Sequence, residues 1–73
     1  MNTLPRVGNR IRLLAMHDDP DPIQVGQIGT VVGVARHSSG QDEWFQVDVS
    51  WDNGRTLMLA SPPDKFEIID GGK

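Results

Sequence analysis

A chain of 73 residues is a single domain, and at this length only about 60% of the unfolded chain's surface can be buried, so the core must be small. Hydrophobic residues at 37% and charged residues at 23%, without long single-sign runs, exclude a disordered chain, and the absence of cysteine excludes disulfides, thiolate zinc sites and a thiol nucleophile. Seven Lys plus Arg against ten Asp plus Glu give a net charge of −3, the wrong sign for sequence-independent binding to nucleic acid.

Residues 1–5 show no periodicity and are expected to be flexible, residues 6–69 to form the domain and residues 70–73 to be a disordered tail. The first five residues lack the basic and apolar parts of a signal peptide, and no run approaches the ~18 apolar residues of a membrane span, so the expected location is the cytoplasm. Val7-Gly8-Asn9 is a turn feeding a first strand, in which Ile11 and Leu13 alternate with Arg10 and Arg12 and leave the arginines outside. Residues 17–22 carry two prolines and three aspartates, which end the strand in an acidic loop.

The run Gly26-Gln27-Ile28-Gly29-Thr30-Val31-Val32-Gly33-Val34 opens the second strand. Gly26 and Gly29 are read as the turn into a strand that starts at Thr30 and ends near His37. Val31 and Val34, three apart, can share the core face only if a bulge at Gly33 breaks the alternation. Residues 38–43 are then a second polar loop.

Strand three, residues 44–51, has the cleanest alternation, with Phe45, Val47, Val49 and Trp51 on one face and Gln46, Asp48 and Ser50 on the other. A two-residue Asn53-Gly54 hairpin would send Leu57 and Leu59 to the polar face. A three-residue loop, Asp52-Asn53-Gly54 with Gly54 left-handed, pairs Trp51 with Arg55, Val49 with Leu57 and Val47 with Leu59, and gathers every apolar residue on one face. It also sets Arg55 beside Trp51, where a cation–π contact is expected. Ser61-Pro62-Pro63-Asp64 ends strand four in a single helical turn, and residues 65–69 form a last short strand.

Five short strands with two polar loops, a tight hairpin and a one-turn helix before the last strand follow the order of a small, all-β, five-stranded SH3-like barrel. Val7-Gly8-Asn9-Arg10-Ile11-Arg12-Leu13, together with the glycine-punctuated run at 26–34, resembles the core of KOW-type SH3-like barrels stretched by the acidic loop. That resemblance implies RNA or ribosome-linked partners. From Val7 to Ile69 the chain is more similar to a small, functionally uncharacterised bacterial domain family found partly in mobile elements. The likeness is carried by Arg10-Ile11-Arg12-Leu13, Asp19-Pro20-Asp21-Pro22, residues 26–31, Trp51-Asp52-Asn53-Gly54-Arg55 and Asp64-Lys65-Phe66. The family implies no activity.

Trp44 departs from the inward set by parity and follows the second polar loop, so it is the first candidate for a binding residue. With Asp18, Asp19 and Asp21 of the first loop, Glu43 and the nearby Pro62-Pro63, it would complete a groove with an aromatic floor and an acidic rim, suited to a basic peptide. Arg10, Arg12 and Arg36 form the alternative patch, suited to phosphates or an acidic partner. The acidic loop lacks the ligand number and order of a calcium loop, and His17 and His37 stand alone and read as surface histidines. Asp48, Ser50 and Asp52 have no base placed by their spacing, so no catalytic, metal or cofactor site is expected.

The expected function is a non-enzymatic binding or adaptor module for a protein partner. Its alternatives are a KOW-like RNA-binding or ribosome-associated module and a small inhibitor or accessory factor of a mobile element. An open sheet edge would add self-pairing or strand addition to the binding modes.

Overall fold

The computed structural model describes residues 4–17 and 19–69, in which five strands form: β1 (Arg10–Ala15), β2 (Ile28–Ser39), β3 (Asp42–Trp51), β4 (Thr56–Ser61) and β5 (Lys65–Ile68). All pair antiparallel in one sheet of order β4-β3-β2-β1-β5. Among the described residues no helix forms, so none is long and apolar enough to cross a membrane. The terminal residues 1–3 and 70–73, and Asp18, lie outside the described residues; Leu4 is exposed and Pro5 buried.

Alternation decides which face is inside. In β3, Val47, Val49 and Trp51 are buried with Phe45 packed against them; in β1, Ile11 and Leu13 are buried while Arg12 and Leu14 are exposed. Val31, Leu59 and Ile23 complete the core. Each such apolar side chain contributes about 1.5–3 kcal/mol on burial. Ile23 comes from the loop between β1 and β2, which folds back on β1: Gly26 donates to Leu13 O, Leu13 donates to Gln27 O, and Ile23 donates to Met16 Sδ. The loop thus lies over the core beside the sheet.

The hairpin between β3 and β4 has the three-residue loop. Trp51 donates to Arg55 O, Gly54 donates to Trp51 O, and Gly54 has φ 94°; Val49 faces Leu57 and Val47 faces Leu59. The bulge in β2 is present too. Val31 faces Val49 and Gly33 faces Asp48, so Val32 is the extra residue, and Val34 returns to the face of Val31, opposite Val47.

Four expectations are corrected. Residues 62–64 form a turn and no helix, because Ser61 and Pro62 each precede a proline and are pushed out of the helical region. The second polar loop shrinks to Gly40-Gln41: β2 and β3 continue to Ser39 and Asp42 as a ribbon with polar residues on both faces. Gly29 makes no turn. It is buried inside β2, paired with Ile11 on one side and Trp51 on the other, where a Cβ would lie 2.6 Å from Val49 Cγ1 and 2.9 Å from Ser50 O. Finally, the Arg55 guanidinium reaches across to the first loop, donating to Asp21 O at 2.9 Å, in place of the expected stacking on Trp51; the Trp51 indole N–H is satisfied by Leu57 O.

Candidate functional site

Parity along β3 turns Trp44, Gln46 and Asp48 to the face away from the core. Their neighbours on β2 are His37, Ala35 and Gly33, and β4 sets Ala60 beside Gln46 and Met58 beside Asp48. The His37 and Trp44 rings stack with centroids 4.3 Å apart and planes 19° from parallel. Both are half-buried, so His37 is more than the surface histidine expected. His37 Nε2 lies 3.1 Å from Gln46 Oε1, and Gln46 Nε2 donates to Asp48 Oδ1 at 3.0 Å. Because the Gln46 amide directs its N–H to a carboxylate, its oxygen faces His37, which therefore donates from Nε2. A hydrogen-bonded chain thus runs from the aromatic pair at the hairpin tip to Asp48.

Asp48 ends the chain over a gap in the side-chain layer. A Cβ on Gly33 would meet Asp48 Oδ2 at 2.9 Å, so the carboxylate leans over Gly33, and Oδ2 has no partner among the described residues. Val32 and Met58, both about half exposed, flank it and line a shallow depression with Asp48 and Thr56.

The residues expected to form one groove are divided. Glu43 is on the same hairpin as Trp44 but is bonded by the Arg36 guanidinium. Asp21 O is bonded by Arg55 at the other end of β3, since Arg55 faces Trp51. Seven residues of strand, about 23 Å, separate Trp44 from Trp51, and the two face opposite sides of the sheet. Asp19 folds back on its own loop, accepting from Asp21 N. Asp18 lies outside the described residues. Pro62-Pro63 does follow Ser61, which pairs with Phe45 next to Trp44.

The alternative arginine patch is divided as well. Arg10 makes two hydrogen bonds to Asp52, at 2.8 and 2.6 Å, and one to Thr30 Oγ1. Arg12 pairs with Glu67 directly across β1 and β5, and Arg36 pairs with Glu43. Arg36 lies six residues along β2 from Thr30, the partner of Arg10, or about 20 Å. Among the described residues no group of three or more His, Asp or Glu is placed to hold a metal ion.

The Arg10–Asp52 pair fastens the β3–β4 turn to β1. The hydrogen bonds from Arg10 hold the Asp52 carboxyl below the ordinary carboxylate range, and Asp52 in turn raises the Arg10 guanidinium. A carboxyl depressed on folding contributes stability that is complete above its unfolded pKa and is lost as pH falls through its folded one. Asp52→Asn, which keeps a turn-forming residue, is therefore expected to melt below wild type at neutral pH, with the gap closing as pH falls below the ordinary Asp value of about 3.9. Melting curves across that range check this. A gap independent of pH would assign the effect to the turn.

From sequence, His37 reads as a lone surface histidine and Asp48 is weighed only as a catalytic carboxylate, and Gln46, Val32 and Met58 are passed over, although the parity that picks Trp44 also picks Gln46 and Asp48. No curated protein and no solved structure matches the chain. A family model does, over residues 4–69, and the chain belongs to the family described as a domain of unknown function, DUF4314.

Proposed function

We propose that this chain is a non-enzymatic, SH3-like binding module that recognises a protein partner through the outer face of β2, β3 and β4. The observation carrying this reading is the placement of Trp44, stacked on His37 and continued by Gln46 and Asp48, on the face the core does not use. A tryptophan is large and amphipathic, and one held at a surface by a ring partner is a low-entropy anchor of the kind that dominates protein interfaces. The strand order β4-β3-β2-β1-β5, with the first strand holding the last, supports the SH3-like reading. A protein is favoured over RNA because Arg10, Arg12 and Arg36 each meet a carboxylate and the net charge is −3.

The test is capture of partners from a bacterial lysate on immobilised chain, with and without nuclease. Partners should survive nuclease and be lost with Trp44→Ala, while an Arg10→Glu, Arg12→Glu double variant retains them. Loss with nuclease and with the arginine reversal would replace this reading with the RNA one.

A further inference from the structure

We infer that the free edge of β2, from Val32 to Ser39, takes an extended segment of a partner protein as an added strand, with one Lys or Arg of that segment reaching across Gly33 to Asp48. This rests on the protein-binding reading above and names the partner's chemistry.

Two independent observations support it. The first is a bare edge. β1 pairs with β2 only from Ile28 to Thr30, and Gly8 and Asn9 extend the cover to Val31. Beyond that, β3 is the only strand paired with β2 among the described residues. The Gly40-Gln41 turn is closed by Ser39 and Asp42, and the pair closing a two-residue hairpin exchanges both ladder bonds. Counting back, Ser38, Arg36 and Val34 turn their N–H and C=O groups away from β3. Val31, on the other side of the one-residue bulge, likewise uses its N–H and C=O on the β1 side. The edge has no proline, and its single charge, Arg36, is matched by Glu43 in the same hairpin, so two of the usual devices against strand addition are missing or muted.

The second observation is the direction of Asp48. Its carboxylate leans over Gly33, the one residue of β2 in that row with no side chain to block passage from the edge. Val32 offers aliphatic surface on the way and Met58 on the far side. Among the described residues Arg10, Arg12, Arg36 and Arg55 are already in ion pairs with other carboxylates, while Asp48 accepts only an amide N–H. The complement of a lone carboxylate set behind an apolar approach is a cation on an aliphatic stem. With a chain charge of −3, a basic segment is favoured over a second copy of this chain.

The experiment selects binders from a library of random dodecapeptides on the wild-type chain. The expected binders alternate apolar residues and carry Lys or Arg at one fixed position. They should protect the amides of Val34, Arg36 and Ser38 from hydrogen exchange. Val34→Pro, which removes an outward N–H and leaves the β3 ladder intact, should abolish binding. Asp48→Lys should weaken the selected peptides by about tenfold or more and, in a fresh selection, replace the basic residue with Asp or Glu. Melting curves check that both variants fold. An unfolded Val34→Pro chain would transfer that test to Arg36→Pro. The inference is overturned by peptides indifferent to both substitutions, by a failure to select any, by self-association that protects the same amides without peptide, or by protection there from a short RNA instead. Loss of the edge result with Trp44-dependent protein capture intact would remove this inference alone.

Discussion

Gly29→Ala is expected to destabilise the chain by about 2–3 kcal/mol, the upper part of the range for overpacking, and Gly29→Val to leave little folded protein. The added Cβ would sit 2.6 Å from Val49 Cγ1, 2.9 Å from Ser50 O and 2.9 Å from Trp51 Cε3. Side chains can rotate away from such a clash, but Ser50 O belongs to the backbone of β3 and moves only if the β2–β3 ladder moves. Trp51 is buried against the core and held through its indole N–H, so it cannot give way cheaply either. Gly29 also stands where β2 is flanked by β1 and β3 at once, with Ile11 and Trp51 as its two partners. A shift there disturbs both halves of the sheet. Natural domains hold only about 5–15 kcal/mol in total, and one this small belongs near the bottom of that range. Gly26→Ala is the control: Gly26 has φ 96° and open space around it, so its cost is the left-handed backbone alone, about 1–2 kcal/mol. Urea unfolding compares the two, with slopes checked for constancy. A Gly29→Ala midpoint equal to wild type would mean that β2 and β3 do not approach as described.

The contrast between these glycines shows what the sequence could and could not convey. Gly54 and the three-residue hairpin were legible because parity admits one loop length that keeps Leu57 and Leu59 with Val47 and Val49. The β2 bulge was legible for the same reason, since Val31 and Val34 cannot otherwise share a face. Gly29 was misread because its cause is a close approach to residues twenty or more positions away, which leaves no local mark. The continuation of β2 and β3 to Ser39 and Asp42 was missed on different grounds: a ribbon wet on both faces has no hydrophobic period to follow. Pairings that depend on register were also invisible. Arg12 meets Glu67 and Arg10 meets Asp52 only once β5 and the hairpin turn have been placed. The same holds for the outer face of β2 and β3. Trp44 was legible by parity, but its separation from Asp21 follows from where Arg55 draws the acidic loop.

Asp64→Ala is the second substitution expected to have a large effect, about 2–4 kcal/mol, or a melting temperature lower by roughly 10–25 °C for a domain of this size. Asp64 is the one buried charged side chain among the described residues. Its Oδ1 accepts from His17 N at 2.9 Å, its Oδ2 accepts from Ala60 N at 3.0 Å, and its own N–H donates to Ala60 O. One carboxylate thus ties the end of the first strand's exit to the end of β4, two segments that no ladder joins. Removing it strands two backbone donors, each costing about 1–3 kcal/mol when left unsatisfied away from water. Asp64→Asn discriminates between charge and shape. The amide fills the same space, but one of its two positions is an NH2 group facing a backbone N–H, so Asn is expected to recover only part of the loss. Hydrogen exchange should accelerate at the His17 and Ala60 amides in both variants while those of β3 keep their relative protection. An Asp64→Asn chain as stable as wild type, with those two amides still protected, would sink the bridging role. The bridge matters beyond stability because it anchors the loop that carries Ile23 over the core and leads to the acidic residues at 19 and 21. With that loop held by Asp64 at one end and by Arg55 at the other, it stays beside the sheet, and the outer face of β2 and β3 is left open to solvent.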